Sequence, residues 1–268
     1  MFAHSFTYNF PNKLARLLIE PIGDIHIGDP NCNYEKLQER VDAIHRDKNR
    51  YWIGMGDYIS NIMPFRQGMV DKRWNWGTVD RRIMTQQEQY AEVVRIFKPI
   101  ASKCIGLLWG NHEWGNALAE DDFVNPVCKP LGVKFLGAKA FVVIKCKHQG
   151  KTINNFVIWV IHGRYSGSLI GGAMNKLRRY KKKYDADIYL MGHTHYKNID
   201  PSLQTGIDVN TMKIGKKPKL LCLTGSFLEE DVQGVDNYGD RAPSEDEHKT
   251  GTITIEIDPF NSKIHAHE

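Results

Sequence analysis

Leu14-Ala-Arg-Leu-Leu-Ile-Glu-Pro-Ile-Gly-Asp-Ile-His26 is a mostly apolar run that breaks at Gly23 and hands over to Asp24 and His26. A run of that length ending in glycine reads as a buried strand, Leu14 to Ile22, that delivers a polar residue at its C-terminal end. Tyr34, Leu37, Val41 and Ile44 then recur at helical spacing, and Tyr51 to Met55 forms a second short strand ending in Gly56-Asp57. Strand, helix, strand is the pattern of a parallel unit. After an irregular stretch with Pro64, Gly68 and Gly77, a helix from Thr85 to Phe97 precedes a third strand, Cys104 to Trp109, which closes on Gly110-Asn111-His112. From Val133 to Ile161 the texture is β-rich, split by a hairpin turn at Lys147 to Gly150, and it runs into His162-Gly163. A glycine-rich loop, a helix from about Ala173 to Tyr184 and a strand, Ile188 to Met191, lead to Gly192-His193-Thr194-His195. Three more strands are expected near Ile207 to Ile214, Lys219 to Leu223 and Gly251 to Ile257. The economical architecture is one α/β domain over residues 1–268, with two β-sheets and flanking helices.

Bulk properties narrow the class. The 268 residues are 41% hydrophobic and 25% charged, near the globular average and far from disordered or fibrous compositions. Phe156 to Ile161 is the best apolar run, with the length of a strand and not of a membrane span. The first ten residues lack a secretory pattern, and five cysteines without a Cys-x-x-Cys pair argue against a disulfide framework or zinc knuckle. These features predict a cytoplasmic protein with no membrane association, and its oligomeric state stays open. A net charge of +5 permits a polyanionic partner without requiring one.

Five strand-like runs end in glycine beside Asp, Asn or His, and ligands of α/β sheets collect outside the carboxyl ends of strands. Asp24 and His26, two apart, would face one point if extended. Asp57, Asn111, His162, His193 and His195 add oxygen and imidazole donors. Carboxylate, amide and imidazole without thiolate suit a catalytic manganese, iron or zinc ion better than a structural zinc.

Asp24-x-His26, Gly56-Asp57, Gly110-Asn-His-Glu113, His162-Gly163 and Gly192-His-Thr-His195 together resemble the ordered motif series of calcineurin-like metallophosphoesterases, across roughly residues 14 to 196. The resemblance implies the metallo-dependent phosphatase fold, a four-layer αββα sandwich of two mixed β-sheets flanked by helices. It implies two divalent metal ions, manganese first, with iron, zinc, nickel or magnesium as alternatives. Asp24, His26 and His195 would bind one, Asn111, His162 and His193 the other, and Asp57 would bridge them. A hydroxide held between the metals would attack the phosphorus of a phosphodiester or phosphomonoester. His112 matches the family histidine that is not a ligand and would stabilise phosphoryl oxygens or protonate the leaving group. The run Gly56-Asp-Tyr-Ile-Ser-Asn61 lacks the Asp-Arg-Gly segment of the serine/threonine protein phosphatases, which disfavours that activity and leaves open whether Asn61 or Glu113 orients His112. The stretch Trp109 to Glu113 and the glycine-rich run before Asn175-Lys176-Leu177 are also similar to phage-type members of the family, which would place the protein in a host cytoplasm.

Other residues carry weaker signals. Arg164, next to His162-Gly163, either reaches a substrate phosphate or solvates a loop, and Gly163, Gly167, Gly171 and Gly172 suggest a loop at the site's edge. Lys176, Arg178, Arg179, Lys181, Lys182 and Lys183 surround an apolar line of Leu177, Tyr180 and Tyr184, which reads first as a solvated helix face and second as a nucleic-acid track. Trp74 and Trp76, with Arg66, Lys72, Arg73, Arg81 and Arg82, lie in an insertion at about 64–84 that either stacks bases or anchors itself to the domain. His265 and His267 read as surface residues. The leading function is hydrolysis of a phosphate ester, with nucleic acid or nucleotide favoured as substrate. The rivals are a non-catalytic scaffold of the same fold and a nucleotide-lipid pyrophosphatase, the latter needing an apolar groove that the sequence does not supply.

Overall fold

The computed structural model describes residues 1–60, 85–114, 119–164, 167, 169–208, 212–229, 232 and 249–268. One sheet is built from β2 (Leu17–Ile22), β3 (Arg50–Gly54), β4 (Cys104–Leu108) and β5 (Phe135–Gly137), which run parallel in that order. On the other edge of β2 it continues antiparallel through β11 (Thr254–Asp258) and β12 (Lys263–His267). The second sheet has the order β1 (Phe2–Asn9), β6 (Lys139–His148), β7 (Lys151–Ile161), β8 (Ile188–Met191), β10 (Lys213–Thr224) and β9 (Lys197–Asp208). Its pairs are parallel at β1–β6, β7–β8 and β8–β10 and antiparallel at β6–β7 and β9–β10, so both sheets are mixed.

Alternation along the strands explains the layering. In β7, Phe156, Ile158 and Val160 point into the core between the sheets, where they join Leu17 and Ile19 of β2, Ile53 of β3 and Ile105 of β4. Trp159 points the other way, against Ala173, Met174 and Leu177 of the helix α6 (Ile170–Lys183). The first sheet likewise turns Trp52 outward onto α1 (Tyr34–Arg46) and α2 (Gln86–Phe97), where its ring stacks on Phe97 with centroids 4.6 Å apart. Central strands covered on both faces have no polar face, hence their continuous apolar runs. The result is the expected four-layer sandwich: helix, sheet, sheet, helix. Asn33 caps α1 through the amide of Lys36, and Thr85 with Glu88 forms a capping box on α2. Between β4 and β5 lie the short helices α3 (Asn111–Trp114), α4 (Asp121–Phe123) and α5 (Lys129–Leu131).

Several boundaries differ from the sequence reading. Phe2–Asn9 is a strand that the reading did not include, although the alternation of Phe6, Tyr8 and Phe10 toward the core was a legible signal. Where a strand was expected near Ile207 to Ile214, β9 instead ends at Asp208 and β10 begins at Lys213, its antiparallel register partner. Helix α6 starts at Ile170 and takes in Gly171 and Gly172. Ile170, Ala173, Met174 and Leu177 pack on the sheet at helical spacing, and that packing outweighs the poor helix propensity of two glycines. His265 and His267 are exposed on β12 as expected. The insertion 64–84, with Trp74, Trp76 and its five basic residues, lies outside the described residues, and so does Asn61.

Candidate metal centre

The residues after β2, β3, β4, β7 and β8 converge. Asp24, His26 and His195 form one group, His26, Asp57 and His112 a second, and Asp57, His162 and His193 a third, each with one ligand-type atom per residue within 4.8 Å of the others. Asp57 belongs to two groups and sits between the His26 side and the His162 side. Asn111 joins the third group, with Oδ1 3.0 Å from Nε2 of His162.

The backbone that brings them together is not extended. Asp24, His26, Asp57, His193 and His195 all adopt left-handed φ, between 49° and 70°. Five non-glycine residues in this region, each costing about 1–3 kcal/mol, persist only because their surroundings fix them. This corrects the expectation that Asp24 and His26 converge through strand alternation: each turns back individually, and residues 24–27 bond to residues 56–58 through Asp24 N to Gly56 O (2.8 Å) and Ile27 N to Tyr58 O (2.9 Å). The glycines before the ligands permit the close approach. A Cβ on Gly110 would overlap the Asp57 carboxylate, and one on Gly192 would lie 2.7 Å from Oδ2 of Asp24.

Glu113 supplies much of the fixing. Its fully buried carboxylate accepts the amides of Asp57 (2.9 Å) and Gly110 (2.6 Å) on Oε2 and those of Tyr58 (2.7 Å) and Ile59 (3.2 Å) on Oε1. It therefore ties the Gly56-Asp57 turn to the Gly110-Asn111 turn. The His112 ring is held by the Ser60 carbonyl, 2.7 Å from Nδ1, while Nε2 lies 4.0 Å from Oδ2 of Asp57. A backbone carbonyl leaves no trace in residue types, which is why the sequence did not reveal this partner.

Around His162 the donor chemistry calls for a cation. Its Nδ1–H donates to the Met55 carbonyl (2.8 Å), which directs Nε2 toward Oδ2 of Asp57 (3.1 Å) and Oδ1 of Asn111 (3.0 Å). With no ion bound a proton on Nε2 serves these oxygens, and once it leaves all three atoms are acceptors. On the other side Nε2 of His26 and Nε2 of His195 face each other at 3.1 Å, with Oδ1 of Asp24 3.7 Å from the latter. Burial, reinforced by the charges of His112 and His195, pushes His26 far below the usual imidazole range and keeps it neutral, as a metal ligand must be. Burial opposes charge on His162 too, but Asp57, Asp24 and Glu113 overcome it and hold the imidazolium up to about 10 with no ion bound. Burial also opposes the Asp57 charge, yet His162 and His112 hold that carboxyl well below its ordinary value. The acceptors, the neutral imidazole and the pull for positive charge all fit divalent metal ions. Arg164 is exposed after β7, beside Lys176 of α6.

A two-sheet α/β sandwich with a carboxylate, amide and imidazole cluster at the strand ends defines a class of metal-binding phosphoesterase folds. The family model of calcineurin-like phosphoesterases matches residues 22–197, and this chain belongs to that family. It is similar to solved structures of Vps29 complexed with Zn²⁺ from Entamoeba histolytica (16% identity, 94% of this chain and 97% of that one, TM-score 0.43). It is also similar to a metallophosphoesterase from Sphaerobacter thermophilus (13%, 94% and 87%, TM-score 0.40) and to the NAD nucleotidase of Haemophilus influenzae (10%, 95% and 49%, TM-score 0.41). No curated protein matches the chain.

Proposed function

We propose that residues 1–268 form one domain that hydrolyses phosphodiester or phosphomonoester bonds with two divalent metal ions, manganese being favoured, and that its substrate is a nucleic acid or nucleotide. The observation that carries this reading is the sharing of Asp57 between two donor groups, one with His26 and one with His162 and His193. Asp24, His26 and His195 would hold one ion, Asn111, His162 and His193 the other, with Asp57 common to both. Ions so placed would supply an acidified water and positive charge for the phosphoryl oxygens. His112, its Nδ1 proton engaged by Ser60, presents Nε2 toward the same space and would move a proton to the leaving oxygen. Arg164 would receive a non-reacting phosphate oxygen. Glu113 keeps the Asp57 and Asn111 turns in register, so the ligands are preorganised before any ion binds. The intact donor set speaks against a ligand-free scaffold. Five free cysteines and the absence, among the described residues, of a helix long and apolar enough to cross a membrane support a reducing, cytoplasmic setting.

The test is elemental analysis of the manganese-reconstituted protein together with hydrolysis of bis(p-nitrophenyl) phosphate and p-nitrophenyl phosphate. Two ions per chain and turnover that is lost with chelator are expected. A folded protein that takes up no metal, or that binds metal and hydrolyses neither ester, defeats the proposal.

A further inference from the structure

We propose that the face of α6 carrying Lys176, Arg179 and Lys183, headed by Arg164, is a binding track for a phosphodiester chain passing out of the metal centre. This rests on the phosphoesterase reading and names how its substrate is held. The 14 residues of α6 include six cations and no acid. At 100° per residue they split around the buried Leu177 into two sides. Arg178 and Lys181 lie on the side of β9, where Arg178 pairs with Asp200 (3.0 Å) and Lys181 bonds the hydroxyl of Ser202 (2.8 Å). Lys176, Arg179 and Lys183 lie on the opposite side, within about 60° of one another. Among the described residues no carboxylate stands within ion-pair distance of these three or of Arg164, and the Lys183 amine rests over the Tyr184 ring at 5.4 Å without being neutralised.

The row points at the site. Arg164 follows His162 by two residues; partial burial and, after it, the neighbouring Arg164 guanidinium hold the Lys176 amine below its ordinary value. Two cations held together without an acid repel each other and gain when an anion enters. Helix α6 then runs back from that end of the sandwich, so Arg179 and Lys183 lie progressively farther from the candidate ligands. Lys176 to Lys183 spans about 10 Å, the rise of about three phosphates along one strand. Arg178 and Lys181, beside β9, are engaged by the fold, whereas among the described residues Lys176, Arg179 and Lys183 meet no acid, and this asymmetry distinguishes a track from a merely solvated helix face.

The test is fluorescence anisotropy of the metal-loaded, full-length protein with a fluorescein-labelled single-stranded oligodeoxynucleotide whose phosphorothioate linkages keep the charge and resist cleavage. Lys176→Glu, Arg179→Glu and Lys183→Glu together should weaken binding at least about tenfold and lower the salt slope by about 2, the release expected from three phosphate contacts. A control triple, Lys145→Glu, Lys151→Glu and Lys263→Glu, makes the same charge change at exposed strand positions and should alter affinity less than about threefold. Equal losses in both triples, no loss in the α6 triple, or a wild type that does not bind would each overturn the track. Hydrolysis of bis(p-nitrophenyl) phosphate by the loaded wild type, measured alongside, reports on the phosphoesterase reading separately: inactivity would defeat that reading while leaving the binding comparison intact.

Discussion

Replacing Glu113 with Gln should damage both stability and metal binding, and the size of the effect can be worked from the hydrogen bonds. Each carboxylate oxygen accepts two backbone amides: Asp57 and Gly110 on Oε2, Tyr58 and Ile59 on Oε1. Gln offers a single oxygen. Two amides then face an NH₂ group in a site that water does not reach, and each unsatisfied buried donor costs about 1–3 kcal/mol, or about 2–6 kcal/mol for the pair. Against this, the substitution removes a buried charge that burial and the neighbouring Asp57 both disfavour, as the upward shift of the Glu113 carboxyl shows. The expected net loss is therefore about 2–4 kcal/mol. Denaturant unfolding of the metal-free protein should show a lower midpoint with an unchanged slope. Because whichever oxygen Gln gives up, the orphaned amides belong to the turn carrying Asp57 or to its immediate continuation, metal affinity should also fall by about 10- to 100-fold, the usual effect of losing a group that orients ligands. A loss below about 1 kcal/mol with full metal affinity would refute the clamp and reduce Glu113 to a tolerated buried acid.

Asp57→Asn should deplete both ions together, read by elemental analysis, whereas stoichiometric loss of one would show that Asp57 is not shared. His112→Ala should retain metal and lose turnover by about 10²- to 10⁴-fold, less for esters with good leaving groups; release of an ion with equal loss on all esters would make His112 a ligand, as its grouping with His26 and Asp57 allows. In the metal-free protein the His162 proton stabilises the fold fully below the unfolded value of 6.5, and this contribution is lost as pH rises through about 10. A metal must displace that proton, so affinity measured by chelator competition should rise about tenfold per pH unit above neutrality; a flat profile would contradict it. Trp74→Ala or Trp76→Ala should raise KM for an oligonucleotide about 5- to 150-fold while sparing a small ester, if those rings stack on bases; unchanged kinetics would make the insertion structural.

Much of the site was legible because its chemistry is carried by residue type. Gly-Asp, Gly-Asn-His and Gly-His-Thr-His at the ends of apolar runs mark strand termini bearing donors, and only strands buried on both faces give such uninterrupted apolar runs. The sequence by itself therefore determined the two-sheet class, the seven candidate donors and the family motifs. What tertiary structure alone decided is how the donors are aimed. Left-handed φ at Asp24, His26, Asp57, His193 and His195 goes against local preference and exists only because distant segments hold each turn. The holders, four amides gathered by Glu113 and the Ser60 carbonyl under His112, are backbone groups that every residue possesses, so no spacing or composition could single them out. The two sides of α6 likewise share one lysine- and arginine-rich sequence. That Arg178 and Lys181 are the ones to find partners was fixed by where β9 falls in the sheet, a long-range packing outcome that the helix sequence does not encode.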